Sequence, residues 1–223
     1  GPRAEQFFNS WYVARYIDSV AAAGQAEMNL PMYVNAALGN AFSDEGGEVG
    51  PSGGPNWNAL PIWRIAAPHI SAFAPDIYAR DSAAVEAYLD RYAASGPLMV
   101  PEIGNAAEYA RFIWPAMGRG AVMFSPFGID GTGYSNYPLG AKELDENTLE
   151  AFAAPYRLFG QMSREWARIA RDRPLWGTAK REDGADQTHV MGRWQLTAQY
   201  GRWAFGEDDW TWIARDPHPL ADV

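Results

Sequence analysis

The chain has 223 residues, which is enough for one large domain or for one and a half smaller ones. Its formal net charge of −9 argues against nucleic-acid backbones and anionic membranes as partners. The absence of cysteine excludes disulfides, a thiolate nucleophile and a cysteine-based metal site. No stretch approaches the roughly 18 apolar residues of a membrane span.

Two further features of the composition bear on function. The chain holds 10 Trp, 11 Tyr and 10 Phe, and such rings, beside Asn, Asp and Glu, suit a carbohydrate site as well as a core. Its three histidines, His69, His189 and His218, have neither metal-ligand spacing nor partners for a Ser-His-Asp set. We therefore expect no metal and no cofactor.

Segments with helical spacing alternate with short apolar runs over the first 171 residues. Helices are predicted at 4–27, 62–70, 82–94, 106–117 and 148–171, with Pro115 breaking the fourth and Pro155 in an early turn of the last. Strands are predicted at 30–37, 71–78, 97–102 and 121–127, with long loops at 39–59 and 128–147. Strict alternation of this kind predicts an α/β fold with a parallel sheet and right-handed crossovers. Four strands with their helices amount to half of a (β/α)8 TIM barrel, which needs eight strands and typically about 250 residues.

The character of the chain changes from Pro174 onward. Thr188 to Tyr200 contains strand-like stretches, and Gly201 with Arg202 offers a turn. Trp203 to Phe205 and Trp210 to Ile213 are further short strand candidates. We therefore predict two domains, a partial catalytic barrel over 3–173 and the start of an all-β, sandwich-like accessory domain over 174–223.

The stretch 97–105 carries the strongest functional signal, because a buried-type strand runs into Glu102 and is followed at once by Gly104 and Asn105. A carboxylate at the C-terminal end of a barrel strand is typical of a catalytic residue. The alternative is a structural glutamate that forms an ion pair with a neighbour or caps the next helix.

Several motifs occur in consistent order along the chain: Leu30-Pro31-Met32-Tyr33-Val34-Asn35-Ala36, Pro51-Ser52-Gly53-Gly54-Pro55, Ala74-Pro75-Asp76-Ile77-Tyr78, Val100-Pro101-Glu102 and Phe124-Ser125-Pro126-Phe127-Gly128-Ile129-Asp130. Together, over about residues 7–205, they resemble the bacterial β-galactosidases of glycoside hydrolase family 35. The resemblance implies that the four strands are strands five to eight of the barrel, followed by the start of a β-rich domain. It also implies that Glu102 is the nucleophile of a retaining enzyme that releases terminal β-linked galactose.

The chain departs from the family pattern in one respect. The family's acid/base lies in an Asn-Glu pair on strand four, and no such pair occurs upstream of residue 30. Retaining hydrolysis needs two carboxyl groups about 5–5.5 Å apart, so one of them is missing from the expected position.

The expected partners are a carbohydrate with terminal β-galactose and either the missing N-terminal half-barrel or a second copy of the chain. The resemblance implies a periplasmic or secreted location.

Strand-end positions suggest neighbours for Glu102. Tyr78, at the end of the adjacent strand, is expected to hydrogen-bond Glu102 and hold it in place, unless it is a core tyrosine bonded to backbone. Tyr33 and Asn35 are expected to contact sugar hydroxyls, although Asn35 is also a common turn former. Asp76 is expected to be structural, with strand alternation turning it away from Tyr78.

Three residues from loops and strand ends complete the predicted site. Phe127 and Trp57 are expected to offer an apolar wall to a pyranose ring. Asp130 follows the last strand and is expected to touch substrate.

Three functions remain open from the sequence. The first is a β-galactosidase, and the second is a partial barrel that holds the nucleophile but needs an N-terminal half for turnover. The third is another barrel glycosidase, of mannanase or cellulase type, with a different sugar preference.

Overall fold

The structure is a computed structural model that describes residues 2–40, 42 and 53–200. Its α-helices are α1 Pro2–Glu27, α2 Leu60–Ala66, α3 Ser82–Ala93, α4 Ile113–Met117 and α5 Glu146–Asp172, and a 3-10 helix, Ala107–Phe112, leads directly into α4. Its strands are β1 Tyr33–Ala37, β2 Ala72–Ile77, β3 Met99–Ile103, β4 Met123–Pro126, β5 Gln187–Met191 and β6 Trp194–Ala198. Of the described helices, none is both long enough and apolar enough to cross a membrane.

The first four strands form one parallel sheet in the order β1-β2-β3-β4. The prediction of an α/β fold with a parallel sheet is therefore confirmed. Each strand lies within its predicted segment or one residue beyond it, because apolar runs bounded by Gly and Pro mark short buried strands clearly.

Of the two proline predictions, the one for Pro115 is wrong. Pro115 does not break a helix, since the change from 3-10 to α geometry occurs at Ile113 and Pro115 lies in the first turn of α4, where proline is tolerated. Pro155 lies inside α5, in about the third of its seven to eight turns, in agreement with the prediction of an early turn. The helix continues through Pro155, which is buried on the same side as Thr148 and Phe152.

One face of the sheet is covered by helices. Phe73, Ile77 and Ile103 are buried there in a hydrophobic cluster that also contains Trp63 and Leu89 from the helices. Because successive side chains of a strand point to opposite faces, Glu102 lies on the other face of β3. The register of β3 against β4 shifts between Val100 and Ile103, an irregularity of the kind that re-aims side chains next to functional sites.

The sheet has two edges, β1 and β4, each paired on one side only within the described residues. Large apolar side chains are also exposed on α1 and directly before β4. On α1, Phe8, Tyr12, Tyr16 and Val20 recur every four residues and are all more than half exposed, and Val122, just before β4, is 71% exposed. Unpaired edges and uncovered apolar side chains are features that proteins normally cover or pair.

After α5, the chain forms the antiparallel hairpin β5–β6, whose turn contains Gly192 at φ 59°. The predicted turn at Gly201 with Arg202, and the strand candidates Trp203 to Phe205 and Trp210 to Ile213, lie outside the described residues. The domain boundary after 173 and the sandwich-like character of the segment 174–223 stay predictions.

The segment that leads to the hairpin is tied to the sheet unit. Arg181 donates to Glu86 on α3 at 2.7 Å, and Arg111 pairs with Glu182. The backbone of this segment also crosses α4 in direct contact. A Cβ placed on Gly118 would lie 2.0 Å from the backbone nitrogen of Gly177, so this crossing requires the absence of a side chain.

Candidate active site

Glu102 and Tyr78 meet at the C-terminal ends of two neighbouring parallel strands. The Tyr78 hydroxyl donates a hydrogen bond to Glu102 Oε1 at 2.6 Å. Burial raises the pKa of Tyr78 well above its ordinary value, and its bond to Glu102 raises it further. Tyr78 therefore remains a protonated donor across the physiological pH range, and one oxygen of Glu102 is held in a fixed position.

Asp76 lies on the same face as Tyr78 and Glu102, so the expectation that alternation turns it away is wrong. Residues two apart on a strand share a face, which places Asp76 on the same side as Tyr78. Asp76 is also in register with Glu102 across the β2–β3 pair. Both of its carboxylate oxygens accept from Asn35 Nδ2 on β1, each at 2.9 Å.

The environment of Asp76 shifts its proton equilibrium into the weakly acidic range. Burial raises the pKa of Asp76 from 3.8 to about 6, the Asn35 hydrogen bond partly lowers it, and the charge of Glu102 raises it. Two carboxyl groups side by side on adjacent strands, one of them with a perturbed pKa, are an arrangement typical of functional sites.

The loop between β4 and α5 closes over this network. Asn136, only 7% exposed, donates to the Tyr78 hydroxyl at 3.3 Å. The loop is fixed in turn by Asn105, whose Oδ1 accepts from Ala141 N at 2.7 Å, and by Tyr109, whose hydroxyl donates to the backbone oxygens of Tyr78 and Leu139. The sequence pattern does not assign Asn136 to the site, and its presence in an Asn- and Gly-containing loop after a strand is its only sequence signal.

Of the rings expected near the sugar, Phe127 lies beside this network and Tyr33 does not. Tyr33 is the first residue of β1 and pairs in register with Ala72, whereas Asp76, four residues further along β2, is level with Glu102. Four strand residues span about 13 Å, so the expectation that Tyr33 ends its strand at the site is wrong.

The backbone N–H of Phe127 donates to Ile103 O at 2.8 Å, which places Phe127 beside the end of the Glu102 strand. Its ring packs edge-on against Tyr134 at 5.9 Å between centroids. The rings of Phe127 and Tyr134 are available as apolar surface beside the end of the Glu102 strand.

The structure does not bring Asp130 and Trp57 into contact with the network. The Asp130 carboxylate accepts from the backbone N–H of Thr132 at 2.9 Å and from its hydroxyl, and these bonds lower its pKa. Trp57 packs against the hydrophobic core, with the Arg91 guanidinium 3.9 Å from its ring centroid. Their described contacts are those of a turn residue and of a packing residue.

The sequence matches no protein-family model and no curated protein.

Within residues 2–40, 42 and 53–200, no group of three or more His, Asp or Glu side chains is arranged to hold a metal ion.

A cavity of about 770 Å³ lies between α4, α5 and the segment 176–181, and is lined by rings that include Trp114, Phe159, Trp166 and Trp176. None of Glu102, Tyr78, Asp76 and Asn35 lines this cavity. Its position marks a contact region between α5 and the C-terminal part of the chain rather than the site around Glu102.

Proposed function

We propose that this chain is the nucleophile-bearing half of a (β/α)8 barrel from a retaining β-galactosidase of the glycoside hydrolase family 35 type. The observation that carries the proposal is the hydrogen bond from Tyr78 to Glu102 at the ends of adjacent parallel strands. The carboxyl end of a parallel sheet is where barrel enzymes place their catalytic groups. The motif resemblance supports the choice of galactose as the sugar.

In this reaction, Glu102 attacks the anomeric carbon, the bond from that carbon to the leaving oxygen breaks, and a glycosyl ester forms on Glu102. Tyr78 holds Oε1, so the other carboxylate oxygen is available for attack. Water then attacks the anomeric carbon and gives its proton to a second carboxyl group, the ester bond breaks, and galactose leaves with Glu102 regenerated as a carboxylate.

The proton for the leaving oxygen needs a second carboxyl group, and Asp76 is badly placed to supply it. Asp76 is the register neighbour of Glu102 on the same sheet face, whereas a retaining pair flanks the bond that is broken. The proposed acid/base therefore belongs to strand four, upstream of residue 30. The chain alone is then a partial barrel that needs an N-terminal half for turnover of ordinary substrates.

The test is labelling with a dinitrophenyl 2-deoxy-2-fluoro-β-galactoside. Its leaving group departs without a proton, so the nucleophile can be trapped as a stable ester even where the acid/base is absent. We expect mass spectrometry of peptides to find the ester on Glu102 and no ester in Glu102→Gln. Matched fluoro-glucoside and fluoro-mannoside reagents distinguish a galactosidase from a barrel glycosidase with another preference. An ester on a different residue, or equal labelling of Glu102→Gln, would contradict the proposal.

A further inference from the structure

Asn35, Asp76 and Glu102 come from three consecutive strands and face the same side of the sheet. Asn35 Nδ2 donates to both oxygens of Asp76, at 2.9 Å each, and Asp76 is the register partner of Glu102. An ionised carboxylate only accepts hydrogen bonds. Ionised Asp76 therefore requires the amide nitrogen of Asn35, and the amide oxygen is turned away from it.

We propose that Asp76 is a positioning residue: it fixes the Asn35 amide so that its oxygen accepts from a sugar hydroxyl, and it releases this orientation when it takes up a proton. This inference rests on the proposed function for its sugar, but its first half concerns this chain's own residues alone. Protonated Asp76 has an O–H to donate, which suits an Asn35 amide rotated to present its oxygen to Asp76. The amide nitrogen of Asn35 then faces the site, so the sugar hydroxyl meets a hydrogen-bond donor in place of an acceptor.

The proton equilibrium of Asp76 falls in an accessible pH range. Burial is the largest cause of its raised pKa, about 6, and Glu102 is the charged neighbour on β3. Among the described residues, the other titratable groups that interact electrostatically with Asp76 are Tyr78, on its own strand, and Tyr92, on α3. Burial keeps both phenols neutral by raising their pKa. Its partner on β1, Asn35, does not titrate, so Asp76 itself is the switch.

The first experiment follows the side-chain amide of Asn35 by NMR in the full chain between pH 4.5 and 8. We expect its signals to change with a midpoint near the pKa of Asp76, about 6, and to stay constant in Asp76→Asn. The side-chain amide of Asn58 is the internal control, because it exchanges hydrogen bonds with Gln6 rather than with a carboxylate. A constant Asn35 signal in the wild type, or the same titration in Asp76→Asn, would overturn the proposal.

The second experiment measures galactose binding at pH 7.5 and pH 5. We expect about three- to tenfold weaker binding at pH 5, the effect of one lost hydrogen bond, and no such pH dependence in Asn35→Ala. Asn35→Ala leaves Asp76 and its position on β2 unchanged. It therefore tests the role of the amide in the pH dependence of binding even if Asp76→Asn fails to fold. Unchanged pH dependence in Asn35→Ala would overturn the role of the amide.

The two experiments separate this inference from the proposed function. Absence of galactose binding at both pH values would contradict a galactose site and, with it, the sugar-presenting half of the inference. The Asn35 titration would still decide whether Asp76 orients the amide. Galactose binding that is independent of pH, together with a constant Asn35 signal, would overturn this inference and leave the proposed function standing.

Discussion

Replacing Tyr78 by Phe removes one hydroxyl from the site and keeps the ring. That hydroxyl is half-buried and donates to the Glu102 carboxylate at 2.6 Å. A hydrogen bond to a charged group contributes about 1.5–3 kcal/mol. If the bond holds Glu102 in the orientation for attack, its loss should slow ester formation by about ten- to a hundredfold, since each 1.4 kcal/mol corresponds to a factor of ten.

The assay is the rate at which the dinitrophenyl 2-fluoro-β-galactoside labels Glu102, measured beside the melting temperature. Tyr78→Phe should lower the rate with little change in melting temperature, because water can reach the half-buried carboxylate. Tyr92→Phe is the matched control. Tyr92 is fully buried and its hydroxyl donates to Pro55 O at 2.7 Å, so its loss should cost about 0.5–1.5 kcal/mol of stability and leave the labelling rate unchanged.

One pattern of results would refute this role for Tyr78. If Tyr78→Phe melts at a clearly lower temperature but labels at the wild-type rate, the hydroxyl serves packing and backbone contacts rather than the nucleophile. Equal effects of Tyr78→Phe and Tyr92→Phe on both measurements would lead to the same conclusion.

Three further predictions concern the nucleophile, the C-terminal crossing and the isolated chain. In a polypeptide that includes the upstream half-barrel, Glu102→Gln should abolish turnover of an aryl β-galactoside while circular dichroism stays unchanged, and a loss of only a few-fold would contradict a covalent role. Gly118→Ala should lower the melting temperature because its Cβ would meet Gly177 N at 2.0 Å, whereas Gly160→Ala, which meets nothing within 4 Å inside α5, should stabilise by about 1 kcal/mol. The chain alone should show no galactosidase activity and should form oligomers in sedimentation experiments, and full turnover by the purified chain would show that it contains an acid/base.

The sheet and its helices could be predicted from the sequence because their signals are local. Glycine and proline bound the apolar runs, as Gly96 does before the segment that contains β3. Asp81 stands directly before an amphipathic segment and caps α3 by accepting from Ala84 N at 2.9 Å. The position of Glu102 at the end of β3 follows from the same local pattern. The sheet face on which each side chain near a strand end lies does not follow from the local pattern, because an irregularity such as the register shift after Val100 leaves little trace in the sequence.

The rest of the candidate site depends on contacts that are distant in sequence. Asn136 reaches Tyr78 across 58 residues, and nothing in its own neighbourhood distinguishes it from other loop asparagines. Trp57 illustrates the opposite case, because its residue type suits a sugar platform but its ring is occupied by Arg91. The expectation for Asp76 is wrong for a different reason. Side chains alternate between the two faces of a strand, so residues two apart, such as Asp76 and Tyr78, share a face.

The two edges of the sheet differ in a way that sets how copies of the chain can associate. Within residues 2–40, 42 and 53–200, β1 and β4 are each paired on one side only. Pairing of β1 from one copy with β4 from another in the same strand direction is head-to-tail rather than between identical surfaces. Head-to-tail contacts close into a ring only when the rotation between copies divides a full turn, and otherwise they extend into filaments. If each copy is the proposed half-barrel, two copies close because each spans half a revolution, and the proposed N-terminal half can occupy both edges at once. Such a half-barrel would therefore act as a chain terminator, and small amounts of it should shorten any filament that this chain forms.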